Sequence, residues 1–270
     1  MNNLTTVLGS TPKMPALFLG HGSPMNAIEE NEFVEGFRLT GKSIPKPDAI
    51  LCVSAHWETR GTFLTAMEQP KTIHDFGGFP KALYEVQYPA PGFPKLAEGI
   101  KAFLPENTVE LDYSWGLDHG AWSVIRHLYP EADVPVIQMS LDYLQTPQHH
   151  YDLIKELAFL RRLGVLIIGS GNMVHNLRLM DWENIGKDNY AFDWAMEAGE
   201  KMKNYILNGD HKKLINYRCH GKAFELAIPT PEHYLPLLYV LALKEENEEV
   251  KLFNDKAVAG SITMTSVKIG

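Results

Sequence analysis

The sequence predicts an α/β fold: one layered domain over residues 1–270 with a mostly parallel central β-sheet flanked by helices. Three observations carry this. Apolar runs of strand length alternate with segments of helical period along the whole chain. The runs "PALFLG", "AILCVSA" and "VLIIGSG" are apolar without clean alternation, as strands covered by helices on both faces must be. No repeat, low-complexity tract or linker divides the chain.

In order, strands are expected at 15–20, 49–55, 62–66, 107–112, 134–140, 165–170 and 258–268. Helices are expected in "NEFVEGFRLTGK", "FPKLAEGIKAFL", "GAWSVIRHLY", "PQHHYDLIKELAFLRRL" and "NYAFDWAMEAGEKMKNYIL", each with apolar residues on one helical face. Residues 69–95 are rich in proline and glycine and read as a long loop of the kind that often carries function.

Acidic residues outnumber basic ones, 33 to 25, for a formal charge of -8. That balance argues against nucleic acid or an anionic membrane as partner. No apolar stretch is long enough to span a bilayer. The opening "MNNLTTVLGSTPK" lacks the basic start and apolar block of a secretion signal. Cys52 and Cys219 do not form a disulfide framework. A cytoplasmic protein, monomeric or a small homo-oligomer, is the expectation.

Eleven histidines invite sorting. His149 and His150 sit among polar helical neighbours, His211 and His220 in polar stretches, and His127 on a helix after His119. These read as solvated, half-buried or packing residues. His21 and His56 differ, because each ends an apolar strand, where open α/β sheets gather ligands. Gly20, Gly22, Ser54 and Ala55 around them are small and leave room. His175 follows a third apolar run through a glycine-rich turn. His233, in "PTPEHYLPLL", stands at a helix start and by itself reads as a capping or packing residue. His119 opens a helix and His74 lies in the long loop, where each reads equally as a pocket or a surface residue.

Imidazoles on neighbouring strand ends fit a metal site. The competing reading is a pair of core histidines satisfied by hydrogen bonds. The sequence holds no HExxH, paired CxxC, GxSxG or GxxxxGK, and "GSGNMV" lacks the third glycine of a dinucleotide fingerprint.

Taken together, "LFLGHGSPMN", "VSAHW", "TIHDFGGFP", "YPAPG", "WGLDHGAW", "GSGNMVHNLR" and "TPEHYLPLLYVLA" resemble the class III extradiol ring-cleavage dioxygenases, in particular their DOPA 4,5-dioxygenase branch. The resemblance runs from about His21 to the C-terminus. It implies metal ligands at His21, His56 and His233, with Glu232 a neighbouring carboxylate. It places an acid–base histidine at His175, near or on the ion, and a second pocket histidine at His119. His74, Phe76 and Trp57 are the expected substrate contacts.

The implied reaction opens the ring of a DOPA-like catechol with O2 at one divalent ion. A facial triad on Fe(II) leaves positions for both catechol oxygens and for O2. Zn(II) binds the same imidazoles but has no redox chemistry, so it is expected as a substitute. Two other readings use the same residues: a zinc hydrolase activating water, and a non-enzymatic interaction module.

Overall fold

The computed structural model describes residue 8 and residues 12–270. The N-terminal segment that argued against a secretion signal lies almost wholly outside them.

One eight-stranded sheet organises the molecule. Its strands are β1 (Ala16–Gly20), β2 (Ala49–Thr59), β3 (Phe63–Thr65), β4 (Glu110–Asp112), β5 (Val136–Asp142), β6 (Val165–Gly171), β7 (Val250–Phe253) and β10 (Ser266–Ile269), in the order β4-β3-β5-β2-β6-β1-β10-β7. The central β5, β2, β6 and β1 are mutually parallel. β3 meets β5 antiparallel and β10 meets β1 antiparallel, so both margins reverse direction. A two-stranded hairpin, β8 (Ala257–Val258) with β9 (Ile262–Thr263), sits apart from this sheet.

The central strands are uniformly apolar because each feeds two cores by alternation. Ala16 and Phe18, Leu51 and Val53, Val165 and Ile167 join one core. Leu17 and Leu19, Ile50 and Cys52, Leu166 and Ile168 join the other. The first core is closed by helices α2 (Pro94–Phe103), α4 (Pro147–Lys155), α5 (Asp193–Leu207) and α6 (Leu235–Leu241). The second is closed by α1 (Glu32–Ser43), through Phe37, and α3 (His119–Leu128), through Ala121, Trp122 and Ile125.

Local chemistry starts these helices. Asn31 Oδ1 accepts from the Phe33 and Val34 amides at 3.1 and 3.0 Å, and Asp118 Oδ1 accepts from the Ala121 amide at 3.0 Å. Pro94 and Pro147 occupy first-turn positions that lack a hydrogen-bond acceptor anyway.

Three expectations need correction. The helix predicted over 147–163 ends at Lys155 and resumes as a 3-10 helix, Ala158–Leu163. Leu157, Leu160 and Leu163 fall three apart, the 3-10 period. The strand predicted over 258–268 is broken, because Ala259 (φ 52°) and Gly260 (φ 78°) are left-handed and turn β8 back on β9. The β7 edge strand was not expected, since its four residues follow a run of acidic ones. His150 is also fully buried rather than solvated, with Nδ1 2.8 Å from the Tyr239 hydroxyl. No helix among the described residues is long and apolar enough to cross a membrane.

Candidate metal centre

β2, β6 and β1 are adjacent and parallel, so their carboxyl ends open on one side of the sheet. His21 follows β1 directly. His56 lies in β2 where pairing with β5 shifts between Val53 and Glu58, an irregularity that re-aims side chains near the strand end. His233 comes from the turn before α6. That turn is pressed onto β6, with the Asn172 amide donating to the His233 carbonyl at 2.8 Å. Gly171 permits the contact, since a Cβ there would meet the His233 oxygen at 2.1 Å. Glycine at this point of "GSGN" therefore serves close packing.

One ring nitrogen from each of His21, His56 and His233 lies within 4.8 Å of the others. The Nε2 atoms of His21 and His56 are 3.3 Å apart. Each ring is held from its other nitrogen. His21 Nδ1 lies 3.0 Å from Ser170 Oγ, whose own proton goes to the Gly120 carbonyl, so Ser170 accepts from His21. His56 Nδ1 lies 3.2 Å from Asp75 Oδ2, and His233 Nδ1 lies 3.2 Å from Glu232 Oε1. Protons therefore sit on the outward nitrogens, and the inward ones present lone pairs to each other.

Three converging lone pairs fit a divalent ion with metal–nitrogen bonds of about 2.1 Å. Burial, reinforced by the neighbouring imidazoles, lowers His21 and His233 well below the usual histidine range. Both are thus neutral, the form that ligates.

His119 and His175 flank this group. His119 Nδ1 lies 3.0 Å from Asp75 Oδ2, and its backbone amide donates to Asp75 Oδ1 at 2.9 Å. Its ring centroid is 3.9 Å from that of His56. His175 stacks on His233, with centroids 3.6 Å apart and planes 7° from parallel. A ring nitrogen of His175 groups with Glu232 and His233, not with His21 and His56. Burial, opposed by Glu232 and aided by His56, brings His175 down to about 4. Burial also lowers His119, against the hydrogen bond to Asp75.

The expected substrate contacts separate. Phe76 stands edge-on to His119, centroids 5.4 Å apart. His74 is not brought to the cluster: its Nε2 donates to the Val86 carbonyl at 2.9 Å and its ring packs on Trp122. Trp57 is buried in a parallel stack on Trp115.

Several site residues escaped the sequence reading. Asp75 bridges His56 and His119 yet was passed over between His74 and Phe76. Burial pushes its carboxyl up, but hydrogen bonds from His119 and His56 outweigh that and hold it well below the carboxylate range. Asp118 is fully buried; it accepts from Ser54 at 2.6 Å and Gln138 at 2.7 Å, and Ser54 Oγ in turn accepts from the His56 amide. Ser54, read as merely small, and Ser170, not singled out at all, are hydrogen-bonding supports. A short polar residue within two positions of a histidine was the available signal for Asp75, Asp118 and Ser54; nothing in the sequence marked Ser170.

The chain's likeness to known proteins agrees with this geometry. Residues 15–267 match the family described as the catalytic LigB subunit of aromatic ring-opening dioxygenase. The chain is 46% identical over 268 residues to the 4,5-DOPA dioxygenase extradiol of Escherichia coli (strain K12), covering 98% of this chain and 97% of that one. It is 37% identical over 258 residues to the 4,5-DOPA dioxygenase extradiol of Beta vulgaris, covering 93% and 94%. The crystal structure of an uncharacterized Escherichia coli K12 protein superposes with a TM-score of 0.83 at 41% identity, covering 95% of this chain and all of the other. The chain therefore belongs to the LigB family, the class III extradiol dioxygenases.

Proposed function

We propose that this enzyme, one catalytic domain over its whole length, opens the ring of a DOPA-like catechol next to its two hydroxyls, with O2, giving a muconic semialdehyde. His21, His56 and His233 hold one Fe(II), with Zn(II) able to replace it. The observation that carries this reading is the outward anchoring of all three rings, which leaves unprotonated nitrogens facing a common point. A core pair satisfied by hydrogen bonds would not need three such anchors.

When bound, Fe(II) would supply the redox chemistry that O2 requires. The chain's own residues handle the protons. His175 is neutral near pH 7 and accepts a catechol hydroxyl proton. The Glu232 carboxylate beside it favours the imidazolium so formed, which returns the proton as the ring opens. His119, fixed by Asp75 at Nδ1, offers its other nitrogen to a substrate oxygen. Phe76 supplies an apolar wall beside His119.

The test is anaerobic loading of metal-free protein with Fe(II), addition of DOPA or a simple catechol, and admission of O2. A yellow semialdehyde forming with one O2 consumed per ring is expected, and zinc-loaded protein should be silent. Ester hydrolysis by the zinc form, with no O2 uptake by either form, would replace this reading by a hydrolase.

A further inference from the structure

A cavity of about 570 Å3 lies away from the histidine cluster, between the turn after His21, helix α1 and the end of α3. Its volume falls in the range of roughly 300–1,000 Å3 typical of small-molecule sites. Three cationic side chains line it, Arg38, Lys42 and Arg126, in a chain whose formal charge is -8. Glu30 is the acidic residue of the lining, and both its oxygens are already taken by Arg38, at 2.5 and 2.7 Å. Among the described residues, Lys42 has no ion-pair partner, and the buried Arg126 Nη1 has no hydrogen-bond acceptor. The rest of the wall is largely apolar: Ile28, Leu128 and Pro130.

Arg126 and His127 also occupy the last turn of α3, where cations complement the helix dipole. That role would turn the guanidinium toward the terminal carbonyls, yet Nη1 is both buried and unmatched. Arg126 and Lys42 both line the cavity, and neither has a carboxylate partner among the described residues, so their charge there is uncompensated.

We propose that this cavity is a second ligand site that takes a small organic acid. The carboxylate lies between Arg126 and Lys42, and the apolar body rests on Ile28, Leu128 and Pro130. A planar carboxylate suits a guanidinium donor, and the apolar wall selects against inorganic oxyanions. The site is tied to the metal centre at two points. Helix α3 carries His119 at its start and Arg126 about 10 Å further along its axis. His127 Nε2 donates to the Asn26 carbonyl at 2.8 Å, and Asn26 Nδ2 donates to the His21 carbonyl at 3.0 Å. An acid held there therefore bears on the turn that fixes His21.

The proposal goes beyond ring cleavage and does not depend on it, so the test uses metal-free full-length protein without O2. Calorimetric titration with benzoate should show one saturable site. Inorganic phosphate and the neutral isostere benzyl alcohol should bind at least about tenfold more weakly. Arg126→Gln should weaken benzoate about tenfold or more, as loss of a charged hydrogen bond implies. Absence of saturable binding, undiminished affinity in Arg126→Gln, or phosphate binding as tightly as benzoate would overturn the assignment. If Arg126→Gln does not fold, amide shifts of the unmodified protein decide. Perturbations centred on Ala27, Ile28 and Leu128 support the site, and perturbations centred on His21, His56 and His233 overturn it.

Discussion

Asp75 illustrates how a carboxylate outside the proposed ligand set bears on one of the proposed ligands, His56, and on its neighbour His119. It lies within 3.2 Å of Nδ1 on both His56 and His119, and its low proton affinity keeps it charged. The charge favours the tautomers of both rings that carry a proton on Nδ1. Asp75→Asn retains the shape but loses the charge. We expect Fe(II) affinity to fall about 10- to 100-fold, measured by competition with a chelator of known strength. Unchanged affinity would mean that His56 is oriented by Ser54 and the strand irregularity alone. His21, His56 and His175 were legible in the sequence because their position at apolar run ends is a one-dimensional signal. Asp75 was not, because what marks it is a contact with His119, 44 positions away.

At the scale of elements, the centre is held by close approaches of backbone. Gly171 of β6 meets the carbonyl of His233, and Gly120 of α3 meets Ser54 and the His56 ring, where a Cβ would lie at 2.6 and 2.7 Å. Gly171→Ala must push the His233 turn off the sheet, since a backbone atom is in the way. We expect about 1–3 kcal/mol of destabilisation in urea unfolding, together with weaker metal binding. Gly186→Ala, with nothing near its position, should do neither. A Gly171→Ala variant indistinguishable from the parent would show that the turn is not fixed by β6. The central strands and the helices packed on them were readable because their patterning is long and consistent. The broken 258–268 segment was not, because its apolar residues serve a hairpin, a passage and an edge strand in turn. Left-handed Ala259, unusual for a residue with a Cβ, marks the break and has no signature in the sequence.

Across the whole molecule, the candidate metal-binding histidines and the buried Arg161–Glu248 pair occupy opposite ends of the sheet. The histidines gather where β1 and β6 finish. Arg161, before β6 begins, is almost fully buried. Its guanidinium donates to the carbonyls of Met14 and Leu243 at 2.8 and 2.7 Å and to both oxygens of Glu248. This ties the start of β1 to the segment leading into β7. Burial raises Glu248, but hydrogen bonds from Arg161 and Lys13 prevail and bring it down to about 2. A carboxylate depressed in the folded state stabilises fully above its unfolded value near 4.5 and loses that contribution as pH falls toward 2. The stability gap between the parent and Glu248→Gln, from urea unfolding, should therefore be widest above about pH 5 and shrink between about pH 4.5 and 2. A gap independent of pH would assign the role of Glu248 to shape rather than charge. The fold class was legible at this scale, since composition and alternation limit the architectures available. The buried Arg161–Glu248 pair was not, because nothing in "AFLRRL" distinguishes the inward arginine from the outward one.

Everything proposed for catalysis depends on three imidazoles from separate segments sharing one ion. The most direct measurement is an anomalous difference map, collected at the iron edge, from crystals of the Fe(II)-loaded protein. The account predicts a single peak about 2.1 Å from a ring nitrogen of each of His21, His56 and His233. Iron centred instead on His56, Asp75 and His119, or on His175, Glu232 and His233, would contradict it.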